Sequence, residues 1–217
     1  MAFPDRLQLP LSFDPGKLVR DLDALSSVGW IAHFVKQNYQ GAWDVVPLRG
    51  VAGATHPVQA IYSDPAATAF ADTPMLAACA YFREVLAAFR CDVQAARLMR
   101  LTPGSTIKEH NDHDLAAEAG MARVHIPVTS NPQVEFELNR RRVVMAPGEA
   151  WYLRLSDPHR VANRGASDRV HLVIDLVVNA WLTELLSQAE AMQPPTMSSR
   201  TSRAAAPIRD LAAKDPG

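Results

Sequence analysis

Three residues in the second half of the chain have the types and spacing of metal ligands. His110 and Asp112 are separated by one residue, and His159 follows His110 by 49 residues. Two imidazoles and one carboxylate that leave other coordination positions open form the facial triad of non-haem Fe(II) oxygenases. In an extended segment, residues two apart lie on the same side, so His110 and Asp112 can reach one ion. The pattern predicts an Fe(II) site with room for a bidentate 2-oxo acid and O2.

A neighbouring histidine offers a second ligand set. His113 lies three residues after His110 and could in principle replace it. We favour His110 because only this histidine has a carboxylate, Asp112, two residues further on. His113 is then expected to lie at the rim of the site, where it can contact the substrate.

A cationic residue ten positions beyond His159 suits a dicarboxylic co-substrate. In the run from Arg169 to Asp175, Arg169 and His171 share one face of a predicted strand, and the opposite face is apolar. A guanidinium that faces the inside of a barrel is costly unless it meets a charged ligand. A carboxylate of 2-oxoglutarate is such a ligand, and arginine can bind it through two parallel hydrogen bonds. Arg169 is therefore predicted to bind 2-oxoglutarate.

The same alternation recurs in a second predicted strand. Arg123 and His125 share one face, and Val124, Ile126 and Val128 form the other. We predict that Arg123 and His125 also face the bound cofactors. The alternative is that this pair lies on the solvated face of an outer strand.

The elements that position these residues are short strands separated by turn residues. Eight strands within the second half have the spacing expected of sandwiches and barrels, and predict a jelly roll of two packed sheets. They are expected at 96–101, 106–110, 122–128, 134–138, 142–145, 150–155, 160–162 and 169–178.

Helical patterns flank this β-rich region. Apolar residues at helical spacing predict N-terminal helices over 14–25 and 73–89, with a strand-and-turn region at 38–47 between them, and a C-terminal helix over 181–192. The expected fold class is mainly β with helices, a double-stranded β-helix in a single domain. The expected boundaries are 1–192 for the domain, 1–95 for a helix-rich support and lid, 96–180 for the jelly-roll core, and 193–217 for a disordered tail.

The composition argues against several classes of protein. Lys and Arg total 22 against 23 Asp and Glu, which gives no electrostatic case for nucleic acid. No apolar run is long enough to span a bilayer, and the first residues lack a signal-peptide pattern. Two cysteines, Cys79 and Cys91, are too few for a disulfide framework, so we expect a reducing cytoplasm.

Taken together, these motifs resemble the aspartyl/asparaginyl β-hydroxylase family of 2-oxoglutarate oxygenases, which includes bacterial free-proline cis-4-hydroxylases. The resemblance covers roughly residues 90–185 and implies a double-stranded β-helix, an Fe(II) cofactor, and oxidation of 2-oxoglutarate to succinate and CO2. The motifs that carry it are Pro103-Gly104 through Ile107, His110-x-Asp112, Arg123-Val124-His125, Gly148 to Leu153, Pro158-His159 and Arg169 to Asp175.

Position by position, the resemblance implies a role for each polar residue of these motifs. The metal ligands would be His110, Asp112 and His159. Arg169 would bind the distal carboxylate of 2-oxoglutarate, and Arg123 with His125 would lie near the iron-side carboxylate or the substrate. Some animal members that hydroxylate Asp and Asn in proteins have glycine where this chain has Asp112, so a complete triad is closer to the bacterial amino-acid hydroxylases.

The sequence predicts the substrate less specifically than it predicts the cofactors. Candidate substrate-binding residues are Arg97, His113, Trp43 and Arg164. Arg97 can bind a carboxylate or form a structural salt bridge, and Trp43 can belong to a lid or to the core. Arg164 is expected at the barrel mouth, where an anionic substrate would meet it.

The predicted reaction is hydroxylation of a C–H bond in a free amino acid or small amino-acid derivative. Alternatives are a peptidyl Asp, Asn or Pro hydroxylase of the same mechanism, a cupin-like metal-binding protein, and a metal-free jelly-roll module that binds a small molecule. Cupins usually present two histidines in a H-x-H pattern, where this chain has His110 and Asp112.

Overall fold

Thirteen strands and five α-helices lie in the two ranges that the computed structural model describes, 2–62 and 66–193. The strands are β1 (Arg6–Ser12), β2 (Ile31–Ala32), β3 (Tyr39–Gln40), β4 (Trp43–Val51), β5 (Phe70–Asp72), β6 (Val93–Leu101), β7 (Thr106–His110), β8 (Met121–Thr129), β9 (Val134–Leu138), β10 (Arg141–Val143), β11 (Glu149–Leu153), β12 (His159–Asn163) and β13 (Arg169–Val177). The helices are α1 (Pro15–Ala24), α2 (Pro57–Ile61), α3 (Pro74–Ala77), α4 (Ala80–Ala87) and α5 (Ala180–Met192).

The strands form two antiparallel sheets. The larger sheet has the order β1-β11-β8-β13-β6-β4-β2, with β5 paired to β4, and the smaller sheet has the order β10-β9-β12-β7-β3. One apolar cluster contains residues of both sheets, including Val45, Met99, Phe136 and Val161, so the sheets pack face to face. The predicted double-stranded β-helix is confirmed.

Side-chain alternation along β8 and β13 separates the two faces of the larger sheet. Ile126 and Leu172 belong to an apolar cluster that also contains residues of α1, α4 and α5. His125 and His171 point to the other face, where His125 contacts Phe136 of the smaller sheet. The polar residues of these strands therefore face the barrel interior, and the alternative of a solvated outer face is excluded.

The first half of the chain contributes more strand than predicted. β1 pairs with β11 and β4 pairs with β6, so residues before 96 complete the larger sheet rather than forming only a helical support. Both strands contain proline, which weakens a strand pattern in sequence: Pro10 lies in the edge strand β1, and Pro47 lies at an irregularity of β4. The helix predicted over 73–89 is two helices, α3 and α4.

Two predictions concern features outside these sheets. The tail expected to be disordered over 193–217 lies outside the described residues, except for Gln193. Among the helices of the described ranges, none has the length and apolar character needed to cross a membrane.

A tight connection leads from the smaller sheet into the larger one. Gly41 lies between β3 and β4, two residues before Trp43, and has a φ of +82°. A Cβ atom at this position would collide with Ser105, whose hydroxyl oxygen accepts a hydrogen bond from the Ala42 amide at 2.9 Å. Both the backbone conformation and the close approach therefore require glycine.

We expect Gly41→Ala to lower the free energy of unfolding by about 1–3 kcal/mol, because alanine is strained at this φ and displaces Ser105. Urea denaturation measures this change. Gly29→Ala is the matched control, since nothing lies within 4 Å of a Cβ there, and its effect should stay within about 0.5 kcal/mol. An equal loss of unfolding free energy in the two variants would contradict the proposed requirement for glycine at position 41.

Candidate metal centre

His110, Asp112 and His159 converge at one end of the smaller sheet. His110 ends β7 and His159 begins β12, and the two residues are directly opposite each other in the antiparallel register. Their ring centroids are 4.2 Å apart. The Asp112 Oδ1 atom lies 3.6 Å from His110 Nε2. One ligand atom from each of the three residues lies within 4.8 Å of the others, which is a spacing that a single metal ion can bridge.

Backbone carbonyls orient both imidazoles. His110 Nδ1 lies 2.8 Å from the Lys108 carbonyl oxygen, and His159 Nδ1 lies 3.0 Å from that of Asp157. When Nδ1–H donates to a carbonyl, the lone pair on Nε2 is left for a metal. Burial and the neighbouring His110 lower the pKa of His159 to about 4, so its imidazole is neutral, as a metal ligand must be.

An ion-pair network holds the carboxylate of the cluster. Arg123 Nη1 donates to Asp112 Oδ2 at 2.7 Å, while Arg123 Nε and Nη2 donate to the two oxygens of Asp175 at 2.6 and 2.9 Å. Arg97 Nη1 lies 3.2 Å from Asp175 Oδ2. Asp175 thus fixes the plane of the Arg123 guanidinium, and Arg123 occupies one oxygen of Asp112. The other oxygen, Oδ1, lies on the side of His110.

Burial of these charges is compensated within the network. Burial would lower the pKa of Arg123, but the carboxylates of Asp175 and Asp112 raise it above its ordinary value, so the guanidinium stays charged. The sequence predicted that Arg123 would face the cofactors. It does line the cavity, but its donors are directed at two carboxylates of the chain.

Arg169 is a buried cation without a carboxylate partner in the described part of the chain. One of its terminal nitrogens lies 2.9 Å from His171 Nδ1, and its Nε atom has no hydrogen-bond partner there. Burial lowers the pKa of Arg169 to about 9. A buried guanidinium without a counter-ion is costly, so the site favours a bound anion.

The ring of Phe136 connects Arg169 to the metal cluster. The Arg169 guanidinium lies 5.9 Å from the centroid of this ring, and the ring stacks on His159 with centroids 6.3 Å apart. His125 lies beside the same ring, at 5.8 Å. Neither nitrogen of His125 has a hydrogen-bond partner among the described residues. Buried polar atoms are normally satisfied, so His125 and Arg169 together fit a polar, anionic ligand next to the metal.

One cavity of about 520 Å³ is lined by the His-Asp-His cluster and by Arg123, Asp175, Arg169, His125 and Phe136. Nine of the ten residues predicted from the sequence line it: His110, Asp112, His159, Arg169, Arg123, His125, Arg97, His113 and Trp43.

Arg164 is the predicted residue that the structure does not bring to this cavity. Its side chain is 60% exposed and pairs with Glu135 at 3.0 Å. His159 begins β12 and Arg164 follows the end of that strand, so the two are separated by roughly 16 Å at the rise of an extended chain. The prediction that Arg164 lies at the mouth of the barrel did not take this distance along β12 into account.

Some residues of the cavity were given no role in the sequence analysis. Asp175 shares the inward face of β13 with Arg169, and the alternation of that strand was a sufficient signal to find it. His33, Phe34 and Tyr62 also line the cavity. They come from short or irregular segments of the first half, where no periodic pattern marks them.

We expect Asp175→Asn to weaken Fe(II) binding by about 10- to 100-fold, because Arg123 is no longer held against Asp112. Equilibrium dialysis under anaerobic conditions, with iron analysis, measures the affinity. Asp44→Asn is the matched control: Asp44 pairs with Arg100 at 2.7 Å and does not line the cavity. Unchanged iron affinity in Asp175→Asn would contradict the role of this network.

Known proteins resemble this chain in sequence and in fold. An L-proline cis-4-hydroxylase of Rhizobium meliloti (strain 1021) is 26% identical over 188 residues, which are 86% of this chain and 65% of that protein. The chain thus spans less than two thirds of this relative. A crystal structure of a Pseudomonas putida prolyl-4-hydroxylase (P4H) has a TM-score of 0.51 and 10% identity, and the likeness covers 81% of this chain and 94% of that chain. This second likeness concerns the fold alone.

A family model described as Aspartyl/Asparaginyl beta-hydroxylase matches residues 17–178, from α1 to the residue after β13. The predicted cofactors, Fe(II) and 2-oxoglutarate, are confirmed by this match together with the His-Asp-His donor set. Because the match includes most of the chain, the protein belongs to the aspartyl/asparaginyl β-hydroxylase family.

Proposed function

We propose that this protein is an Fe(II)- and 2-oxoglutarate-dependent dioxygenase that hydroxylates a C–H bond of a free amino acid or small amino-acid derivative. The principal support is one cavity that contains both a convergent His-Asp-His cluster and the buried guanidinium of Arg169, which has no carboxylate partner among the described residues. A metal-free binding module would not need the cluster, and a metal site alone would not need the buried cation.

His110, Asp112 and His159 are proposed as the metal ligands. The imidazoles are oriented through Nδ1, and Arg123 leaves one oxygen of Asp112 for coordination. When they are bound, Fe(II) and 2-oxoglutarate would together with O2 supply the oxidising chemistry that hydroxylates a C–H bond. Succinate and CO2 would be the co-products.

Arg169 is proposed to bind the distal carboxylate of 2-oxoglutarate. His125 offers a neutral imidazole beside it, because burial lowers the pKa of His125 well below its ordinary value. Phe136 and Leu155 contribute apolar wall to the same cavity and exclude water from it. The chain need not supply an acid or a nucleophile. Its tasks are to hold the ligands, orient the two substrates and keep the cavity dry.

A free amino acid or a small derivative of one is the proposed substrate. In support, the 26% identical relative is named an L-proline cis-4-hydroxylase, and the cavity lies inside the barrel between two packed sheets. Arg97 and His113 line this cavity and are proposed to lie near the substrate. Nucleic acid is not an expected partner, and the cytoplasm remains the predicted compartment.

Succinate release tests the proposed reaction. The purified protein with Fe(II), 2-oxoglutarate and O2 should release succinate slowly without a substrate and faster with an amino acid from a panel, with a gain of 16 Da in that amino acid by mass spectrometry. Asp112→Ala should lose iron binding and both activities, because one of the proposed ligands is removed. Stimulation by Asp-, Asn- or Pro-containing peptides but by no free amino acid would favour a peptidyl hydroxylase. Absence of iron-dependent succinate would overturn the proposal.

Arg169→Gln should raise the KM for 2-oxoglutarate by about 100-fold or more, because a buried ion pair with the distal carboxylate is lost. Steady-state succinate assays at varied 2-oxoglutarate measure the change. The matched control is Arg160→Gln on β12, whose exposed guanidinium pairs with Glu137 outside the cavity. The control should keep the wild-type KM. An unchanged KM in Arg169→Gln would show that another group binds this carboxylate.

A further inference from the structure

We infer that the substrate carries a sizeable uncharged, apolar group, and that this group binds along a row of aromatic side chains between the metal centre and the mouth of the cavity. We call this row, Trp43, His33, Phe34 and Tyr62, the aromatic wall. The inference rests on the proposed hydroxylase function and adds the class of substrate to it.

The aromatic wall is continuous from a proposed metal ligand to the surface. The Trp43 ring lies 6.5 Å from the His110 ring, and His33 stacks on Trp43 at 3.6 Å with an interplanar angle of 7°. Phe34 stacks on His33 at 4.8 Å, and Tyr62 meets the edge of Phe34 at 5.7 Å. All four side chains line the same cavity as the metal cluster. A molecule that touches this wall can therefore also reach the metal.

Exposure of the wall increases toward its outer end. Trp43 is 8% exposed, Phe34 is 37% exposed and Tyr62 is 46% exposed. Four large hydrophobic residues are exposed within the described ranges, and Phe34 and Tyr62 are two of them, in contact with each other at the cavity mouth. Exposed apolar side chains that adjoin a pocket are typical of a surface that a ligand covers.

The four side chains of the aromatic wall are themselves uncharged. Burial, helped by the charge of Arg97, lowers the pKa of His33 to about 4, so this imidazole is neutral at neutral pH. The rest of the lining contributed by residues 35–70 is also uncharged; it comprises Val35, Asn38, Gly50, Val51, Ile61 and Phe70. An ionic group held against these rings would lose hydration, and the rings themselves offer it no counter-charge. An apolar or aromatic group would gain contact area and ring stacking.

The co-substrate does not account for this surface. 2-Oxoglutarate is charged at both ends, and its proposed partner Arg169 lies by Phe136 rather than by the aromatic wall. A cavity of about 520 Å³ is within the range of pockets that enclose ligands larger than a bare small amino acid. Trp43 also offers a buried indole N–H that has no hydrogen-bond partner among the described residues. A carbonyl or carboxylate oxygen of the substrate can accept from it.

The test compares probes that share an amino-acid head group and differ in the rest of the molecule. L-leucine, L-phenylalanine and their N-acetyl forms are the apolar probes, and L-aspartate and L-asparagine are the polar probes. At least one apolar probe should stimulate succinate release at lower concentration than either polar probe. The same probe should raise the denaturation temperature of the anaerobic protein with Fe(II) and 2-oxoglutarate, because it binds the folded state.

Variants of the aromatic wall test where the apolar group of the substrate binds. Phe34→Ala should raise the KM for the best apolar probe by about tenfold, because contact area with the apolar group is lost. Phe34→Leu, which stays apolar, should recover most of the loss. Val144→Ala is the matched control, because Val144 is an exposed hydrophobic residue that does not line the cavity.

The outcomes separate this inference from the proposed function. If iron-dependent succinate release occurs without substrate, but polar probes act as well as apolar ones or no apolar probe acts, the inference is wrong and the hydroxylase proposal stands. An unchanged KM in Phe34→Ala also overturns the inference. If no iron-dependent succinate forms under any condition, the proposed function itself fails.

Discussion

The stability of the barrel depends on how the charges of buried side chains are paired inside its apolar interior. Alternation along β6, β8 and β13 directs the guanidiniums of Arg97, Arg123 and Arg169 into the space between the sheets, and all three residues line the cavity there. Asp175 pairs with two of them, and Asp112 shares Arg123. Arg169 is left for a ligand. Because burying an unpaired charge is costly, the folded interior is arranged for an anion that the described residues do not supply.

The same charge compensation also explains how the three proposed metal ligands are positioned. The two histidines come from paired strands of the smaller sheet, so the sheet register sets their separation. Asp112 lies beyond the end of β7 in a loop, where no register fixes it. Its orientation comes from Arg123 on the opposite sheet. A strand pair thus positions two of the proposed ligands, and an ion-pair network across the barrel positions the third.

Much of the fold and the convergence of His110, Asp112 and His159 could be predicted from the sequence because local patterns specify them. β7 and β9 begin and end where turn residues and alternation indicated. β1 was missed because Pro10 interrupts its pattern, and β4 was predicted only as part of a strand-and-turn region that ended at Pro47. Alternation predicted that Arg123 is buried, but its carboxylate partners depend on a cross-strand register that one sequence does not display. The aromatic wall depends on contacts between short segments of the first half that one sequence does not display, so of its members only Trp43 was predicted.

The edge strand β1 has a consequence for the behaviour of the protein at high concentration. β1 is the last strand at one side of the larger sheet, where a row of unpaired backbone groups would invite a strand from another molecule. Pro10, which has no amide hydrogen to donate, lies within the irregular stretch between Gln8 and Ser12. A proline and an irregular stretch make an edge strand a poor template for edge-to-edge association, so they disfavour aggregation through β1 without any change to the barrel interior.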